Sequence, residues 1–305
     1  MSEGHTTRPG PAAAHMGADS SQMQASSTPP SRMEMPKETV TPTGFFTGFN
    51  IKYPEYELLT PQTLQEFTIR SMSVAEEEIL KGSLVTVKRI PIHINDVIWT
   101  CLVKKPSHIV TKEDFFKNTT LRDRDALLYA LYHITYKDIH NYDVQCNECG
   151  EKFPISLQLS NIFKMSAWTG EPMEILNKRL RVDLKTVDAS AILKQPTLFD
   201  EQEILNDMLF QSEKNLEIAQ EMAIIDSFEL NSEDRDPVLV SGKQNLFSAY
   251  NSLPAADRKL INKEYMEAFG KFAISLDMSV DCQKCGSTNE TRLDLVQQLF
   301  RAMYE

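Results

Sequence analysis

The chain is poor in cysteine, with five in 305 residues, too few for a disulfide scaffold. It also lacks any apolar run approaching the roughly 18 residues of a membrane-spanning helix. The first residues show no basic flank followed by an apolar stretch, so a secretory signal is not expected and folding in a reducing cytosol is. Basic residues are outnumbered, 32 Lys and Arg against 43 Asp and Glu, for a net charge of −11. No basic run exceeds pairs such as Lys88-Arg89 and Lys104-Lys105. That balance repels a phosphate backbone and disfavours nucleic acid as a partner. There is no glycine-rich phosphate loop, no Ser/His/Asp order and no evident paired-carboxylate site, so no enzymatic activity is expected.

What the chain does contain is ordinary globular material. Hydrophobic residues make up 41% and charged residues 25%, enough for one large core or two smaller ones. Residues 1–43 are the exception: dense in Pro, Ser, Thr, Met and Gly, they bury too little to offset the entropy of ordering and read as a disordered tail. The folded part is expected to begin at Gly44-Phe45-Phe46, and residues 44–165 read as an N-terminal α+β region. Within it, 66–71 alternates as a strand, and Ser73-Val-Ala-Glu76 fits a capping box opening a short helix that stops at Gly82. Residues 84–103, rich in Val, Ile, Thr and Trp, read as strands broken at Pro91. Glu76-Glu77-Glu78 reads as a solvated helix face.

Leu127, Leu128, Leu131 and Ile134 form one apolar stripe, predicting a helix over 125–136. A strand at 142–146 leads to Cys146, and Phe153, Ile155, Leu157 and Leu159 alternate in a return strand. Residues 166–250 read as a mostly helical insert, with a helix starting near Asp200 and a polar, acidic loop at 231–237. Residues 251–305 form the last region. A helix over 257–271 precedes alternating Ile274, Leu276, Met278 and Val280, which deliver Cys282; Thr291, Leu293 and Leu295 read as the return strand. The apolar end, Val296 to Tyr304, covers either its own core or a neighbouring protein.

The first and last regions share one plan: Asp-Arg, apolar helix, strand, Cys-x-x-Cys-Gly, strand, closing apolar residues. Asp123-Arg124 and Asp257-Arg258 open it, and the spacing to each knuckle is nearly equal. This suggests a duplication whose two strand–knuckle–strand elements pair about a pseudo-twofold axis.

Cys146, Cys149, Cys282 and Cys285 are the candidate metal ligands. Cys-x-x-Cys puts two thiolates on one side of a tight turn, and the following Gly supplies the backbone freedom that turn needs. Two knuckles complete a tetrahedral four-sulfur site, which suits one structural Zn2+ and leaves no position for a catalytic water. The competing readings are a redox Cys-x-x-Cys, an iron–sulfur site, or half-sites completed elsewhere; the redox reading is disfavoured because both motifs lie between strands and not at a helix start. His140 is a further candidate ligand or a solvated loop histidine, His133 a structural histidine, and Cys101 a buried thiol in an apolar strand.

The stretch Leu121-Arg-Asp-Arg-Asp-Ala-Leu-Leu-Tyr-Ala-Leu-Tyr, the knuckle segment from Tyr142 through Cys146, Cys149 and Gly150 to Phe153, and the later Cys282-Gln-Lys-Cys285-Gly286 resemble the baseplate hub and hub-assembly proteins of T-even-like contractile-tailed bacteriophages. Phe67 to Leu80 resembles the family's early strand and helix. The resemblance implies a structural or assembly protein, retained in the virion tail baseplate or present in host cytoplasm during assembly. Its partners would be other phage baseplate or tail proteins, with an oligomer possible. The fold expected is α+β: two helix–strand–zinc-knuckle–strand units sharing one zinc-ribbon-like site of four cysteines. A second class of function is a zinc-ribbon regulator binding nucleic acid or RNA polymerase, against which the acidic balance weighs.

Overall fold

Antiparallel pairing sets the first sheet of the computed structural model, which describes residues 52–83, 89–136, 139–230 and 238–304. The expected tail at 1–43, the start at Gly44-Phe45-Phe46 and the loop at 231–237 lie outside the described residues. Strands β1 (Glu55–Leu59) and β2 (Glu66–Arg70) form a hairpin, and β3 (Leu102–Lys104) pairs with β2. Two helices lie between β2 and β3: α1 (Val74–Ser83) and α2 (Ile90–Cys101). At the start of α1, Ser73 N donates to Glu76 Oε2 at 2.7 Å, and Glu76 pairs with Arg70 at 2.8 Å. Glu76 is thus buried, not part of a solvated face.

Of the expected strands over 84–103, residues 90–101 are corrected by α2, 102–103 are strand in β3, and 84–88 lies outside the described residues. Pro91 sits in the first turn of the helix, where a missing N–H costs nothing. Ile94, Val97, Ile98 and Cys101 then fall on one buried face. A β-branched run suits a buried helix as well as a strand, and here packing decides.

Next come α3 (Lys112–Asn118) and α4 (Leu121–Thr135), each opened by a full capping box, Thr111 with Asp114 and Thr120 with Asp123. The hairpin β4 (Ile139–Gln145) and β5 (Lys152–Gln158) follows, then α5 (Leu159–Ile162) and the short β6 (Phe163–Met165). After α6 (Glu174–Asn177) the chain runs β7 (Leu180–Asp183), β8 (Ala189–Leu193), α7 (Leu198–Asn206), a 3-10 turn at Met208–Phe210, α8 (Glu213–Met222), β9 (Ile225–Leu230) and β10 (Val238–Val240). It closes with α9 (Lys243–Ser252), α10 (Ala255–Tyr265), a π-turn at Met266–Gly270, β11 (Ile274–Asp281), β12 (Thr288–Arg292) and α11 (Leu295–Ala302). The fold is α+β. The segment 166–250 is helical only in part, because it carries the four-stranded sheet β10-β9-β8-β7. Leu293 and Leu295 lie beyond the return strand, and Leu295 opens α11.

The element order repeats. The series β1, β2, α1, α2, β3, α3, α4, β4, β5, α5 is matched by β7, β8, α7, α8, β9, α9, α10, β11, β12, α11, with β10 as an addition. In both halves a hairpin gains a third strand on its second member. In both, the pairing slips at one place, Thr68/Ile69 on β2 and Ile192/Leu193 on β8. The repeated plan therefore reaches upstream of the Asp-Arg segments to the first hairpin of each half.

The halves also exchange their ends. β6, which follows the first half, pairs with β11 of the second. α11, which ends the second half, lies against α4 and puts Leu299 and Met303 into the first core with Leu127, Leu131 and Tyr132. The C-terminal apolar residues thus cover the chain's own core. A second core centres on Phe210, Phe228, Tyr250 and Phe269. The Gln62 amide joins the halves, donating to Gln195 Oε1 at 3.2 Å and to Phe269 O at 3.0 Å.

Candidate metal centre

Two hairpins deliver the four thiols. Cys146 follows β4 and Cys282 follows β11. In the first knuckle Cys146 N donates to Glu151 O at 2.8 Å and Gly150 N to Cys146 O at 3.0 Å. In the second, Cys282 N donates to Ser287 O at 2.8 Å and Gly286 N to Cys282 O at 2.9 Å. Gly150 and Gly286 hold φ of 70° and 73°, the left-handed conformation that closes each turn and that a side chain would strain.

The four sulfurs lie within 4.8 Å of one another. Cys146 and Cys285 are 3.7 Å apart, and so are Cys149 and Cys282, the two distances a pseudo-twofold exchange would make equal. A tetrahedral metal with bonds of about 2.3 Å to sulfur spaces its ligands by about 3.8 Å. The donor set and spacing are therefore compatible with a four-coordinate metal site. Cys146 and Cys282 are buried with Phe153 against Val144, Ile155 and Val280, while Cys149 and Cys285 are exposed.

Residues outside the Cys-x-x-Cys pairs support the sulfurs unequally. Ser287 Oγ lies 3.1 Å from Cys146 Sγ and 3.0 Å from Cys285 Sγ. That hydroxyl, followed by the Cys149 backbone, holds the Cys146 thiol down to about 5, and with the Ser287 backbone it lowers Cys285 as well. Asn147 N donates to Asn289 Oδ1 at 2.9 Å, and Lys284 pairs with Glu151 at 2.9 Å, so each knuckle grips the other. Nothing in the sequence pattern marks Ser287 or Asn289, since the equivalent residues after the first knuckle are Glu151 and Phe153. A four-sulfur surround with closed geometry can bind a metal but offers no open coordination position for chemistry.

The other singled-out residues fall elsewhere. His140 is on β4, buried and hydrogen-bonded to Tyr132 Oη, so it is neither a ligand nor solvated. His133 stacks on Tyr129 at 5.8 Å. Cys101 ends α2, a helix and not a strand, and burial pushes its thiol up to about 12.

A profile of the family described as T4 bacteriophage base plate protein matches residues 53–301, the span from just before β1 into α11. No curated protein and no solved structure shows significant similarity to the chain.

Proposed function

The chain belongs to the T4 bacteriophage base plate protein family, and on that premise we propose that this phage baseplate structural protein acts at the hub, as a hub subunit or as a factor that assembles it, with one structural zinc ion held by Cys146, Cys149, Cys282 and Cys285. The observation that carries the reading is the extent of the family match, which takes in both halves of the duplicated body together with both knuckles. Its partners are other phage tail proteins, and its place is the virion tail.

Zinc suits the site because four thiolates favour a soft or borderline cation, and the closed set of ligands gives the metal a structural task. The work of the protein is then to hold shape and offer surfaces, not to catalyse. The exchanged ends and the shared metal tie the two halves together.

The test is mass spectrometry of purified tails alongside infected-cell extract. Stoichiometric presence in tails supports a retained hub subunit; presence in cells with absence from tails supports an assembly factor. Co-purification with RNA polymerase subunits and no tail protein would overturn both.

A further inference from the structure

A chain of net charge −11 carries a cleft ringed by cations. The cleft, about 380 Å³, lies where the two halves meet and is lined by Arg122 of α4, Lys164 of β6, Lys271 after the π-turn, and Arg292 of β12. Arg292 pairs with Asp277 at 2.7 Å and Arg122 stands 3.7 Å from Asp125. Lys164 makes no close ion pair among the described residues but shares the field of Asp277 with Arg292, and Lys271 rests its ammonium 5.1 Å from the centre of the Phe272 ring. Four cations against two carboxylates leave a local positive surplus on a chain that is acidic as a whole.

The floor is apolar and adaptable. Met165 and Met266 line the same cleft, with 43% and 46% of their surface exposed. Met266 is placed there by the π-turn Met266–Gly270, and a Cβ at Gly270 would collide with its thioether. The turn ends the helix that α10 begins, a place where π-turns occur. The first half has no such turn: its helix α4 passes through regular geometry to Thr135. Neither arginine has a basic counterpart in the other half, since the repeat matches Arg122 with Ala256 and Arg292 with Ser156. Neither the turn nor the two arginines is therefore a by-product of the duplicated fold.

We propose that this cleft docks an acidic peptide segment of another protein, its carboxylates pairing with Lys164, Lys271 and the two arginines and one apolar side chain lying against Met165 and Met266. Charge complementarity argues for an anionic occupant. A short acidic segment suits it better than a nucleic acid, because the chain as a whole repels a polyanion and no exposed aromatic platform lines the cleft. Polarizable methionines suit a surface that must fit a flexible segment.

The experiment is fluorescence anisotropy on the full chain with a labelled Asp-Glu-Leu-Glu-Asp peptide, its Asn-Gln-Leu-Gln-Asn counterpart, inorganic phosphate and a duplex DNA. Saturable binding of the acidic peptide alone, weakened about tenfold or more by Lys164→Glu with Lys271→Glu, is expected. The charge-matched control, Lys214→Glu with Lys259→Glu, lies outside the cleft and should leave binding unchanged. Circular dichroism checks that both variants fold. The proposal is overturned if no saturable peptide binding occurs up to millimolar concentration, if the neutral peptide binds as well, if both double variants lose binding equally, or if phosphate or DNA competes as strongly as the peptide. Failure here leaves the baseplate assignment untouched, and absence from purified tails leaves the cleft untouched.

Discussion

Asp123 and Asp257 occupy the same place in the two halves of the molecule. Each is the third residue of a helix that leads to a knuckle, and each accepts bonds from the turn of a β-hairpin. Asp123 takes Gln62 N at 2.8 Å and Thr63 Oγ1 at 2.7 Å; Asp257 takes Lys185 N at 2.9 Å and the Thr186 hydroxyl. The aspartate of the Asp-Arg pair that marks the repeat in sequence is the latch between hairpin and helix.

These two latches should respond to pH in opposite directions. Burial raises Asp123, whereas for Asp257 burial is outweighed by the hydrogen bonds from Thr186 and Lys185, which lower it. A raised carboxyl contributes most below its unfolded pKa of about 3.8 and loses that contribution as pH rises through the folded value. A lowered one contributes above about 3.8 and loses it as pH falls through the folded value. Urea unfolding at pH 7 and pH 3.5 should therefore show that Asp257→Asn loses more at pH 7, and Asp123→Asn more at pH 3.5. Equal pH dependence of the two variants would refute the assignment. Asp123→Ala, which strands several buried donors, should cost about 2–4 kcal/mol.

On the proposed zinc site, metal removal should unfold the place where the halves meet. One zinc per chain is expected by elemental analysis. Cys282→Ser should lower both the zinc content and the melting temperature, and a chelator should lower that temperature reversibly. Structural zinc in isolated fingers contributes roughly 10–16 kcal/mol of apparent folding free energy, so a loss of several kcal/mol is the scale. Full zinc content in a chain lacking both Cys282 and Cys285 would sink the shared site.

The knuckle glycines should resist substitution. Gly150→Ala and Gly286→Ala each place a side chain at positive φ, a strain of about 1–2 kcal/mol. Lower stability and faster zinc loss to a chelator are expected in each, measured by thermal melts and a colorimetric exchange assay; wild-type exchange rates would count against the turn geometry.

The C-terminal helix should matter to the fold more than to any neighbour. Leu299 is fully buried in the first core, and Gln298 Oε1 accepts from Tyr142 Oη at 2.9 Å. Leu299→Ala should cost about 2–5 kcal/mol by chemical denaturation. A value near zero would mean that α11 is displaced in solution.

The cysteine cluster is legible in the sequence because its signal is local: thiol spacing and a glycine fix each knuckle without reference to the rest of the chain. The helix over 125–136 and the alternating strands beside the cysteines are legible for the same reason, since one apolar face dictates one period. Residues 90–101 are not, because Ile, Val and Trp suit a buried helix and a strand alike, and Pro91 breaks a strand but opens a helix. The sheet of β7 to β10 is hidden for a related reason: its strands are short and their alternation is weak.

What the sequence by itself determined is the two knuckles, their matching Asp-Arg helices and the acidic α+β character. Only the tertiary structure decided that the repeated plan covers both halves, that β6 and α11 cross between them, and that four cations converge at the boundary. Those are relations between segments far apart in the chain, set by packing and pairing partners, and no local pattern encodes them.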